Sequence, residues 1–275
     1  MPFIAVGEEN SGHIDLHYED HGSGTPVVLI HGYPLDGRSW EKQEAALLEA
    51  GHRVIAYDRR GFGRSSQPSI GYDYDTFAAD LNALLTALDL RDVALVGFSM
   101  GTGEVTRYLA TYGSERVSKA ALLAPIAPFL LHTDDNPGIG QDVFDGFVAA
   151  AKGDRPAFMT GFLSNFYNYD VYAGSLVSKE RFQASWNTAT SASAIAAVAC
   201  IPAWLTDFRA DLPKIDVPVL VVQGDQDRIL PPIHTGDRLP GLIDDLQHNV
   251  VEGGPHGIIW THADQVNAAL LDFLK

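Results

Sequence analysis

The stretch Val93–Val105, VALVGFSMGTGEV, decides the reading of this chain. An apolar, β-branched run ends at Gly97-Phe98-Ser99-Met100-Gly101, and helical spacing begins almost immediately. A buried strand that hands over to a helix within one or two residues needs a sharp turn, which small flanking residues permit. A hydroxyl placed at that turn projects from the backbone, beside the partial positive charge of a helix N-terminus. Such a position suits a nucleophile on which negative charge develops nearby.

Outward from this turn the first half of the chain alternates between two periods. Runs at Ile14–Glu19, Val27–Ile30, Val54–Tyr57, Val93–Val96 and Ala120–Leu123 read as strands. Amphipathic segments at about 38–50, 74–88 and 102–112 separate them. In the second of these Phe77, Leu81, Leu84, Leu85 and Leu88 make one apolar stripe. Strand–helix alternation implies right-handed crossovers and a mostly parallel sheet with helices on both faces. From about 127 to 210 helical, aromatic-rich sequence replaces the alternation, and strand character returns at Val217–Gln223 and Leu246–Val251. The expected organisation is an α/β core of residues 1–126 and 211–275 with a helical cap insertion at 127–210.

Composition narrows the function. The chain has 275 residues, 46% hydrophobic and 20% charged, in the range of a globule with a sizeable core. A net charge of −16 lacks the basic footprint of a nucleic-acid binder. No 18-residue apolar run suggests a membrane span, and the opening MPFIAVGEEN does not have the pattern of a secretory signal. Cys200 is the single cysteine, so neither an intrachain disulfide nor a cysteine-based metal cluster is expected. A cytoplasmic location fits these features.

A serine hydroxyl needs a base to take its proton and a third group to hold that base. Three further stretches supply candidates. VVLIHGYP (27–34) is a strand followed by a turn that can aim the Tyr33 N–H at the same point as the Met100 N–H, giving two donors for an oxyanion. His31 in that turn is expected to fix the loop through hydrogen bonds. VPVLVVQGDQDRILP (217–231) ends a strand in an acidic turn, where Asp227 is favoured as the orienting acid and Asp225 as a turn-bonding residue. VVEGGPHGIIWTH (250–262) places His256 in a loop before the last helix, as the base. His262, its nearest rival, falls at a helix start and is expected to serve that N-terminus or the surface. The chain order Ser99, Asp227, His256 is that of the α/β-hydrolase arrangement. A haloalkane dehalogenase is disfavoured, because that chemistry needs a carboxylate where Ser99 stands.

On these residues the chain resembles, almost end to end, the cofactor-free (non-haem) haloperoxidases or perhydrolases of the α/β-hydrolase superfamily. The similarity is carried by HYEDHGSGTPVVLIHGYPLDGRSWE, YDRRGFGRSSQP, VGFSMGTGEVTRYL, FRADLPKIDVPVL and PHGIIWTHADQVNAALLDFL. The resemblance implies an α/β-hydrolase fold and an acyl-enzyme on Ser99 made from a short carboxylic acid or ester. Hydrogen peroxide then takes the acyl group, and the peracid oxidises bromide or chloride. It implies no haem, vanadate or flavin, no metal site, and a homo-oligomer. An aromatic-Pro pair such as Tyr33-Pro34 accompanies perhydrolase activity in this family, Pro34 turning the preceding carbonyl toward the site. Pro34, Phe98, Phe162 and Trp204 are candidate pocket walls. The alternative is an esterase, lactonase or lactamase with little peroxide chemistry; a non-catalytic scaffold on the same fold is disfavoured because all three reactive residues are present.

Overall fold

The computed structural model describes residues 2–275. Eight strands form one sheet: β1 (Phe3–Glu9), β2 (Gly12–Gly22), β3 (Pro26–Ile30), β4 (Arg53–Tyr57), β5 (Val93–Phe98), β6 (Val117–Leu123), β7 (Val219–Gly224) and β8 (Leu246–Val251). Their order across the sheet is β1-β2-β4-β3-β5-β6-β7-β8. The β1/β2 and β2/β4 pairs are antiparallel, and every pair from β4/β3 onward is parallel. The centre is buried on both sides, which explains why β3 and β5 read as unbroken apolar runs.

Helices α1 (Glu41–Glu49), α2 (Tyr74–Ala87) and α3 (Met100–Tyr112) cross between the early strands. Asp73 starts α2 by accepting a hydrogen bond from the Thr76 N–H, and the Phe77/Leu81/Leu84 stripe faces the core. Between β6 and β7 lie α4 (Gln141–Gly153), α5 (Arg155–Phe166), α6 (Tyr169–Tyr172), α7 (Lys179–Ser191) and α8 (Ala194–Ala203). The chain closes with α9 (Ile258–Thr261) and α10 (Ala263–Phe273). No helix among the described residues is long and apolar enough to cross a membrane.

The structure departs from the sequence expectations at several elements: β2 and β6 run longer than expected, and four further differences have a local cause. Strand β1 precedes the first predicted one; it is a partly exposed edge strand without a clean apolar face. The segment predicted as one helix over 38–50 splits into a 3-10 turn, Gly37–Trp40, and α1. Helix α3 begins at Met100, directly after the serine, rather than at Thr102. Strand β7 starts at Val219 instead of Val217, since Pro218 has no N–H for the ladder.

Candidate active site

The turn between β5 and α3 holds Ser99 at φ 54°, a left-handed conformation that costs a non-glycine residue energy. Its neighbours show why glycine stands on either side. A Cβ on Gly97 would lie 2.6 Å from the Gly101 carbonyl oxygen, and one on Gly101 would lie 2.2 Å from the Ile30 oxygen. Strand β3 and the first turn of α3 thus approach backbone to backbone. This packing drives the Ser99 side chain up at the carboxyl edge of the sheet.

His256, in the loop after β8, meets that side chain. Its Nε2 lies 2.8 Å from Ser99 Oγ, and its Nδ1 lies 2.7 Å from Asp227 Oδ2. Imidazole and carboxylate are both fully enclosed. Asp227 Oδ1 accepts hydrogen bonds from the Ile229 and Leu230 amides at 2.9 and 2.8 Å, and Gln223 Nε2 donates to Oδ2 at 3.2 Å. The acid is therefore clamped by the turn that follows β7. With the carboxylate accepting from Nδ1–H, Nε2 is left as the acceptor for the serine O–H. Asp225 instead accepts the Gly253 N–H at 2.8 Å, bonding two turns together. His262 starts α10 through its backbone, its carbonyl accepting the Gln265 and Val266 N–H groups at 3.1 Å, while its ring forms no capping bond and Nδ1 sits 2.9 Å from Thr261 Oγ1.

The two residues expected to supply oxyanion donors border the same space. Tyr33 and Met100 line a cavity with Ser99, and neither N–H donates to another group among the described residues. His31 holds the first of these loops. Arg59 N–H donates to its Nε2 at 2.9 Å, which leaves Nδ1–H to donate to the Gly32 carbonyl at 2.9 Å. Burial, aided by the Arg59 charge, pushes its pKa down to about 3, so the ring is neutral. Arg59 also donates through Nη2 to the His31 carbonyl at 3.0 Å and pairs with Glu104 of α3 at 2.7 Å. Tyr57 adds a hydrogen bond to the same carboxylate. Burial raises the Glu104 carboxyl above the ordinary range, against the pull of Arg59.

The cavity above Ser99 measures about 370 Å³. Phe162 and Trp204 line it, together with Ile126, Leu130, Phe144 and Phe147. Two expected wall residues do not. Phe98 ends β5 on a fully buried face and packs behind the imidazole, 5.2 Å from the His256 ring and 5.8 Å from that of Phe166. Pro34 is buried in the loop and does not reach the cavity; its short ring is tied to the backbone, and the Tyr33 ring reaches there instead. Sequence reasoning missed Gln223, Phe166 and the Arg59–Glu104 pair. Gln223 carried a signal, being the one polar side chain inside the apolar run VPVLVVQ. Among the described residues no group of three or more His, Cys, Asp or Glu side chains could hold a metal ion.

A buried hydroxyl–imidazole–carboxylate chain can move a proton from Oγ. Comparison with known proteins agrees with this arrangement. The family described as the α/β-hydrolase fold matches residues 25–263. A protein of Synechocystis sp., provisionally named a non-heme chloroperoxidase, is 62% identical over 276 residues, covering 100% of each chain. A bifunctional esterase/perhydrolase of Acinetobacter calcoaceticus is 34% identical over 95% of this chain and 96% of its own. The crystal structure of a bromoperoxidase from Bacillus anthracis superposes with a TM-score of 0.95 at 44% identity, covering 99% of both chains. The chain belongs to the α/β-hydrolase fold family and, within it, to the non-haem haloperoxidases.

Proposed function

We propose that the protein is a serine-dependent perhydrolase and haloperoxidase that also hydrolyses esters. The observation that carries this reading is the unbroken buried chain from Ser99 Oγ through His256 to Asp227. Ser99 Oγ attacks the carbonyl carbon of a carboxylic acid or ester while His256 Nε2 takes its proton. The Tyr33 and Met100 amides stabilise the tetrahedral oxyanion, and the proton then passes to the departing water or alcohol. Asp227 holds the imidazole in the required tautomer. Hydrogen peroxide next attacks the acyl-enzyme, giving up a proton to His256, and collapse returns it to Ser99 with release of a peracid. The peracid oxidises chloride or bromide to hypohalous acid and reverts to the carboxylic acid. Acylation and acyl transfer use groups of the chain itself, and the released peracid carries out the halide oxidation.

Water in place of peroxide gives plain ester hydrolysis at the same serine, and the relative named for both activities supports carrying this second outcome. Residues 127–210 act as the cap over the core of 1–126 and 211–275. The molecule works in the cytoplasm as a homo-oligomer on small-molecule substrates. Two experiments test the reading. A fluorophosphonate should label Ser99 stoichiometrically. Ser99→Ala should lose both aryl-ester hydrolysis and peroxide-dependent bromination in a carboxylate buffer. Bromination surviving at the wild-type rate would move the chemistry elsewhere in the molecule.

A further inference from the structure

The space above Ser99 is larger than the smallest acyl donors need. Its volume of about 370 Å³ lies in the range of sites that enclose whole small molecules. At the ~30 Å³ that a water molecule occupies in the liquid, it has room for roughly ten non-hydrogen atoms. An acetyl group would leave most of it empty.

The walls say what the remainder is for. Aromatic rings hold one another edge to face: Tyr33 stands 5.4 Å from Phe162 and 4.9 Å from Trp204. Arg228 is the one charged side chain on the lining, and it is committed to Asp170 at 2.7 and 3.2 Å. Asn165 and Val143 are exposed at the rim. The Tyr33 hydroxyl is already donated to the Ala197 carbonyl at 2.8 Å. A carboxylate or ammonium carried deep into this space would lose its water without finding a countercharge.

The placement also separates the two halves of an ester. The leaving oxygen must lie against His256 Nε2, which protonates it. His256 does not line the cavity, whereas Tyr33 and Met100 do. A cavity lined by the serine but not by the imidazole leaves its space to the acyl chain rather than to the departing alcohol.

We infer that the preferred acyl group is an uncharged hydrocarbon chain of about six to ten carbons, straight or ending in a phenyl ring. Acetyl and propionyl donors react in the same site without filling it. The inference rests on Ser99 being the nucleophile, as proposed above.

The test holds the leaving group constant. Rates are measured for p-nitrophenyl acetate, butyrate, hexanoate, octanoate and 3-phenylpropanoate, and for the p-nitrophenyl monoester of adipate. A second series keeps the acetyl group and lengthens the alcohol. Fluorophosphonate titration counts active Ser99 in each preparation. kcat/KM should rise about two- to fourfold per added methylene up to hexanoate. Phenylpropanoate should match hexanoate, the adipate monoester should fall at least about tenfold below it, and the alcohol series should stay nearly flat. A profile highest at acetate, a gain confined to the alcohol series, or an adipate monoester equal to hexanoate overturns the inference while the labelled serine keeps the parent reading intact. No labelling and no turnover of any ester sinks both.

Discussion

The Arg59 guanidinium meets the carboxylate of Glu104, on the buried side of the helix that follows Ser99, at 2.7 Å with both side chains essentially sealed from solvent. The same guanidinium holds the His31 carbonyl, so α3 and the loop after β3 are tied through one cation. Removing one member leaves the other buried and uncompensated. Glu104→Gln should destabilise the fold by about 3–5 kcal/mol in urea titration. A loss below about 1 kcal/mol would mean that water or another group already compensates Arg59.

Asp227 and Asp225 make a matched pair of substitutions. Asp227→Asn breaks the hydrogen bond that sets the His256 tautomer, and kcat should drop by roughly 10³–10⁴-fold. Asp225→Asn touches only the Gly253 turn and should stay within roughly tenfold of wild type, the loss expected from a single exposed hydrogen bond. Steady-state hydrolysis of one ester by both variants decides the matter, and the reverse order would transfer the orienting role to Asp225.

His31 should give the protein an acid sensitivity of defined sign. Its folded pKa of about 3 lies below the ordinary 6.5, so the unfolded chain binds a proton first as pH falls. Stability from this group is complete above pH 6.5 and is lost toward pH 3, by up to about 1.4 kcal/mol per pH unit. Asp80 and Glu104, raised by burial, act in the opposite sense in the acid range. The comparison therefore uses His31→Asn: the stability gap between wild type and variant should shrink steadily from pH 6 to pH 4. A gap that does not change with pH would show that His31 titrates normally.

Gly101→Ala and Gly161→Ala should diverge. The first places a methyl 2.2 Å from a backbone oxygen of β3 and should lower the melting temperature and activity together. The second, in the exposed middle of α5, meets nothing within 4 Å and should stabilise by up to about 1 kcal/mol. Calorimetry of the two proteins checks this; equal effects would mean that the close approach at the elbow relaxes freely.

How far the sequence disclosed this site depended on the kind of force involved. Ser99, Asp227 and His256 stood out because each occupies a turn whose residues are constrained locally, by glycine, proline or a strand end. The β5–α3 handover was readable for the same reason, since burial on both faces leaves a continuous apolar run. Strand β1 was hidden because an edge strand needs no such run. Phe98 was misplaced and Phe166 missed because an aromatic ring packs equally well against a substrate or an imidazole, and only the tertiary fold chooses. Arg59 and Glu104 lie 45 residues apart, so no local pattern joins them.

Tyr33 has its phenol anchored to the main chain of α8, while its peptide nitrogen, in the loop beside Ser99, is left without a partner among the described residues. Between them its ring forms part of the floor on which an acyl tail would lie. With its amide as an oxyanion donor, as proposed above, recognition of the tail and polarisation of the carbonyl converge on one amino acid. A ligand that tilts this ring would register as slower chemistry as well as weaker occupancy, linking selectivity to turnover with no moving lid.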